Sequence, residues 1–87
     1  METDAILTDS SEEQFAKAEE YLKRVLKKSP DEPAVYNNIA LICLKTGRLE
    51  EAEENVSKAL KLKPDLAEIK DTANQVQKAK EARKSKF

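Results

Sequence analysis

The chain has 87 residues, 39% hydrophobic and 38% charged, with a formal net charge of −1. That length allows one small domain with limited burial, and the near-zero charge excludes a protein-wide field that would gather nucleic acid. One Gly, three Pro, no Trp and no His leave little for sheet turns, flexible linkers or imidazole chemistry.

The single cysteine, Cys43, cannot close an intrachain disulfide and suits a reducing compartment. No apolar run approaches the ~20 residues of a membrane span. Residues 1–10 hold acids and no basic flank, unlike a secretory signal. A cytoplasmic protein is expected, divided into a tail over 1–11, a helical domain over 12–77 and a basic helix end or tail over 78–87.

The first helix is expected over residues 12–28. Ser10 with Glu13, or Ser11 with Gln14, has capping-box spacing at its start. Phe15, Ala18, Leu22, Val25 and Leu26 recur at helical period on one stripe. Ser29-Pro30-Asp31 then stops it, because proline disfavours helix in the residue before it.

The second helix is expected from Pro33, a residue suited to a first helical turn, to Thr46-Gly47. Gly47, the only glycine, stands where a left-handed terminus is required. Val35, Tyr36, Ile39, Ala40, Leu41, Ile42, Cys43 and Leu44 make this helix apolar nearly all round. It should be sandwiched on more than one side, at the centre of the molecule.

The third helix spans residues 49–62, with Leu49, Ala52, Val56, Ala59 and Leu60 on one stripe, and Lys63-Pro64-Asp65 ends it. The fourth is expected to open at Asp65, with Glu68 at capping-box spacing and Leu66, Ile69, Ala73 and Val76 on one face. Beyond Val76 the chain turns basic through Lys78, Lys80, Arg83, Lys84 and Lys86. That end is expected to project into solvent and fray.

Two of these helices end alike. Pro30-Asp31 and Pro64-Asp65 lie thirty-four residues apart; in the same register Ala18-Glu19-Glu20 falls on Ala52-Glu53-Glu54, and Leu26-Lys27 on Leu60-Lys61. A fixed period of this size marks a stacked-helix solenoid, whose units need neighbours to bury their apolar faces. The fold class expected is all-α: four antiparallel helices in hairpins, stacked as a short right-handed solenoid.

The residues at that period, Tyr36-x-x-Ile39-Ala40-x-x-Cys43 followed by Ala52-x-x-x-Val56, Ala59 and Pro64, resemble a tetratricopeptide repeat. Small Ala40, Ala52 and Ala59 would let helix axes approach while Tyr36, Ile39 and Val56 fill the gaps. Cys43 and Val56 stand where the family prefers aromatics. The resemblance covers about residues 12–76: one complete repeat, a preceding half repeat carried by Ala18, Leu22, Val25 and Pro30, and a closing helix. The half repeat lacks its partner helix, and Ala5, Ile6 and Leu7, or another molecule, are expected to cover its open side.

No catalytic constellation is legible. Glu12-Glu13, Glu19-Glu20, Glu50-Glu51 and Glu53-Glu54 sit beside lysines at helical spacing and read as surface ion pairs. One Cys without His leaves a zinc site only carboxylates to complete it, a set that metal rarely uses, and no cofactor is expected.

By the resemblance, the first helix of a repeat lines a concave groove, which makes Asn37, Asn38, Leu41 and Lys45 groove residues, joined by Asp71, Gln75 and Lys78. Two adjacent amides would pair with a peptide backbone and Leu41 would offer apolar contact. Asn38 stands where chaperone-binding relatives hold a terminal carboxylate, but Glu68 and Thr72 occupy the places where cations would be needed, against a clamp of the co-chaperone kind. The leading expectation is a non-enzymatic adaptor or scaffold for a protein or peptide partner. The alternative is an assembly subunit, a homodimer or a hetero-complex, docking through Phe15, Leu22 and Val25 of the unpaired first helix. An RNA-associated role for the basic tail ranks below both, since the tail lacks interleaved aromatics before Phe87.

Overall fold

A computed structural model describes residues 2–85 and contains four helices: α1 (Glu2–Lys28), α2 (Pro33–Lys45), α3 (Leu49–Leu62) and α4 (Ala67–Ser85). Lys86, Phe87 and any cover supplied by Ala5, Ile6 and Leu7 lie outside the described residues and side chains. The all-α expectation holds, with a helix order and packing of the tetratricopeptide kind. No helix among the described residues is long and apolar enough to cross a membrane.

The second and third helices fall where their punctuation places them. Pro33 opens α2, and Gly47 follows it at φ 81°. The Arg48 N–H donates to the Cys43 carbonyl at 2.8 Å and the Gly47 N–H to the Leu44 carbonyl at 3.3 Å, the two bonds of a Schellman terminus. Thr46 adds its hydroxyl to the Ile42 carbonyl at 2.9 Å.

Two helix starts differ from expectation. α1 begins at Glu2, not near residue 12, so Ser10 and Ser11 lie inside a helix and do not mark its start. Residues 2–11 contain neither Pro nor Gly; extending a formed helix costs far less than nucleating one, and no breaker stops it. α4 begins at Ala67, and the Leu66 carbonyl receives the Ile69 and Lys70 N–H groups at 3.1 and 3.2 Å. Asp65 therefore precedes the cap position and forms no capping box with Glu68.

α2 packs on all three other helices, whereas among the described residues α1 packs on α2 alone. One buried cluster joins Val35, Ile39, Cys43, Ala52 and Val76, with Leu22, Val25, Leu26 and Leu44 against it. A second joins Ala40, Val56, Ala59 and Ile69, flanked by Tyr36, Leu60, Leu66 and Ala73. Both draw on α2, which explains why that helix is apolar around most of its circumference. Ala40, Ala52 and Ala59 are fully buried, and their small side chains let the helices close on one another.

The basic end of α4 does not stand free. Lys80 Nζ lies 2.7 Å from Glu53 Oε1, and Arg83 pairs with Glu50. Two acids three residues apart on α3 meet two bases three residues apart on the antiparallel α4, so the tail follows α3 instead of leaving it.

Candidate interaction surfaces

The expected groove residues divide on burial. Asn38, Lys45, Asp71, Gln75 and Lys78 are exposed and Leu41 is half-buried, along two helices that touch. Asn37 is only 8% exposed, and its Oδ1 is buried without a hydrogen-bond partner. The two neighbouring amides thus do not share a surface, and Asn38 alone is open to a ligand. Gln75 donates to Asp71 Oδ2 at 3.1 Å, and Lys45 Nζ sits 6.0 Å from the centre of the Phe15 ring, within cation–π range. Thr72, one of the two residues expected to stand where a clamp needs cations, is buried and donates its hydroxyl to the Glu68 carbonyl at 3.0 Å.

The least expected feature lies where α1 meets the α2–α3 turn. Glu19, read from its neighbours as a surface charge, is 8% exposed. Arg48 closes on it with two hydrogen bonds, Nη2 to Oε1 at 2.7 Å and Nη1 to Oε2 at 3.0 Å. Lys23 adds a contact at 3.2 Å, and Arg48 Nε donates to the Thr46 hydroxyl at 3.0 Å. The Arg48 hydrogen bonds hold the Glu19 carboxyl below its ordinary value of 4.5, burial opposing and Lys23 assisting. The same pair raises the guanidinium further above its already high value.

Glu19, Cys43 and Glu51 bring three donor atoms within 4.8 Å of one another. Arg48 already serves that cluster, with Nη1 3.4 Å from Glu51 Oε1, and three donors fall one short of a closed tetrahedral set. The cluster binds a guanidinium. Burial pushes the Cys43 thiol up, which keeps it protonated and inert at neutral pH.

α1 presents a third surface. Phe15, Leu22 and Val25 are each half-buried, and Leu22 and Val25 pack against the first cluster. The residues left open beside them are Ala18, exposed, and Tyr21, 66% exposed. Tyr21 escapes a sequence reading because it stands between Glu20 and Lys23 on a charged stretch; its alignment with Ala18 and Val25 at helical spacing is the signal that identifies it. An open depression of about 590 Å³ lies here, lined by Tyr21, Arg24, Val25, Lys27, Lys28 and Ser29. A second, of about 560 Å³, runs past Ala16, Glu19, Lys23 and Arg48. Neither includes a residue of the α2–α4 edge.

A family model described as a tetratricopeptide repeat matches residues 11–76. No curated protein and no solved structure matches the chain.

Proposed function

The chain belongs to the tetratricopeptide repeat family, and from that premise we propose that it is a non-enzymatic adaptor taking an extended partner segment along the α2–α4 edge. The observation that carries this reading is the accessible line of Asn38, Leu41 and Lys45 on α2 beside Asp71, Gln75 and Lys78 on α4. The Asn38 amide both donates and accepts, as a peptide backbone requires. Half-buried Leu41 supplies apolar area, and the mixed charges around it favour a ligand of mixed charge. Buried, lone Cys43 supports a cytoplasmic setting. Peptides selected from a displayed library against the protein test the site. They should lose binding to Leu41→Glu with Asn38→Ala and keep it to Tyr21→Glu; selected peptides indifferent to the double substitution would move the site elsewhere.

One observation favours a second docking surface. Among the described residues α1 packs on a single neighbour and exposes Tyr21 beside Ala18, in the register where Ala52 and its neighbours on α3 are covered by α2. A helix of another molecule fits the uncovered side.

A further inference from the structure

We infer that the open face of α1 takes an acidic amphipathic helix of another protein, antiparallel to α1, with acids in its first turn set against Arg24 and Lys28. The inference rests on the docking reading of this face and adds the chemistry and direction of the occupant.

The hairpin of α2 and α3 shows how such a helix sits. Ala52, Lys58 and Ala59 of α3 stand one repeat period after Ala18, Arg24 and Val25 of α1. Ala52 and Ala59 are fully buried among side chains that include those of α2, and Lys58 Nζ lies 5.8 Å from the centre of the Tyr36 ring. On α1, Ala18 and Arg24 are exposed and Val25 is half-buried, with Tyr21, 66% exposed, between them. Tyr36 lies in the first turn of α2 and Lys58 near the end of α3, so the covering helix runs opposite to the one it covers. A helix laid on α1 in the same way brings its first turn beside Arg24 and Lys28.

Charge then selects the chemistry of that helix. At about 100° per residue, Lys17, Arg24 and Lys28 lie within about 60° of Tyr21, and no acid of residues 12–28 does. Lys17 stands 3.8 Å from Glu13 and Arg24 3.6 Å from Glu20, both between exposed side chains, contacts that contribute little and exchange readily for better ones. Lys28 holds no ion-pair partner among the described residues. The macrodipole of α1 acts within its last turn, so it accounts for Lys28 but not for Lys17 or Arg24. A second copy would bring the same three cations to this face. Acids in the first turn of an incoming helix instead meet two cations and suit the positive end of its own dipole.

Between these charges, Tyr21 and Val25 line the depression of about 590 Å³, and small Ala18 lets a helix axis approach. Apolar residues on one stripe of the occupant complete the contact. A lone tyrosine gives a nucleic-acid strand a single stacking platform, whereas the aliphatic strip beside it suits a helix.

The test is selection against the full chain from a displayed library of helices the length of α2, with a fixed apolar stripe and randomised polar positions. Selected helices should carry acids in their first turn. As synthetic peptides they should bind about thirtyfold more weakly to Tyr21→Glu, and to Arg24→Glu with Lys28→Glu. Affinity should hold for Leu41→Glu with Asn38→Ala, and should return in Arg24→Glu with Lys28→Glu when the first-turn acids of the peptide become lysines. Circular dichroism confirms that each variant keeps its helices. Helices that Tyr21→Glu releases but that carry no excess of acids keep the docking face and overturn its charge; acids gathered in the last turn overturn the direction. A library that yields no binder, or only binders that Leu41→Glu with Asn38→Ala releases and Tyr21→Glu does not, overturns the α1 face altogether and leaves the α2–α4 edge standing. A single-stranded RNA oligonucleotide bound more tightly than the selected peptides, and lost in Arg24→Glu with Lys28→Glu, assigns the face to nucleic acid and overturns the inference.

Discussion

Glu19 and Glu53 stand one thirty-four-residue period apart, and each is closed by a cation from further along the chain: Arg48 on Glu19 at 2.7 Å, Lys80 on Glu53 at 2.7 Å. The acids hold equivalent places in the repeat, whereas Arg48 stands in the α2–α3 turn and Lys80 inside α4, and the two pairs differ in burial. The Glu19 side chain is 11% exposed and receives two bonds; that of Glu53 is 46% exposed and receives one. Removing a partner from a desolvated carboxylate leaves a buried charge unsatisfied. Arg48→Ala should therefore cost about 2 kcal/mol, a fall in melting temperature of about 10 °C for a domain of this size, whereas Lys80→Ala should cost about 0.5 kcal/mol. Thermal denaturation of the two variants side by side checks the contrast, and equal losses would mean burial does not decide it.

The lowered Glu19 carboxyl fixes the sign of a pH effect. A group whose folded pKa is depressed gives stability that is complete above its unfolded value and is lost as pH falls through the folded one. Stability should hold at neutral pH and decline below the ordinary carboxyl value of 4.5. In Glu19→Gln this share of the acid decline should disappear, so that melting temperatures of variant and wild type converge as the pH drops. A constant gap between the two curves from neutral pH down into acid would contradict the assignment.

The contrast between these residues and the helix ends shows what a sequence makes readable. α2 and α3 are legible at both ends because Pro33, Gly47 and Lys63-Pro64 impose backbone constraints that no tertiary contact overrides. The start of α1 is not, because a serine cap acts only where a helix stops, and nothing stops it before Glu2. Glu19 looks like its charged neighbours until the chain brings Arg48 to it across a separation of 29 residues. Its register with Glu53 is visible in the sequence; the burial that separates the two is not. Asn37 lies on the polar side of a helical wheel, yet Ala40 and Leu44, three and seven residues on, are packed into the two clusters, and Asn37 goes inward with them.

Gly47 carries φ 81°, and no atom lies within 4 Å of the point where a Cβ would stand. A replacement there meets backbone strain and no steric block. Gly47→Ala should cost about 1–2 kcal/mol, the penalty of a left-handed conformation for an L-residue, and Gly47→Asn distinctly less, since asparagine tolerates that region. Chemical denaturation with unchanged slope would confirm that only the terminus is affected; an alanine variant as stable as wild type would mean the Schellman bonds at Cys43 and Leu44 are dispensable.

Ala40 has no accessible surface and lies in the cluster with Val56, Ala59 and Ile69, where α2 meets α3 and α4. A larger side chain has no space there without parting the helices. Ala40→Leu should destabilise by about 2 kcal/mol through overpacking, although leucine is both apolar and a good helix former. Ala34→Leu, on the exposed edge of the same helix, should stay within about 0.5 kcal/mol of wild type. Comparing the two by thermal denaturation separates close helix approach from helix propensity.

The end of α4 offers a sharper test of how far the packed domain extends. Lys80 and Arg83 reach Glu53 and Glu50 on α3, while Lys78 and Lys84 are exposed. Helix ends with no tertiary contact exchange their amides freely, and those held by a neighbour do not. Amides in residues 79–83 should therefore show measurable protection in the wild type. That protection should fall in Lys80→Ala with Arg83→Ala and persist in Lys78→Ala with Lys84→Ala. The loss should also appear on adding salt, because the contacts are charged and near the surface, where ions screen them. Protection equal in all three proteins would show that the last turns hold by helix propensity alone; protection absent from the wild type would return this segment to the solvent-projecting tail that its composition suggests.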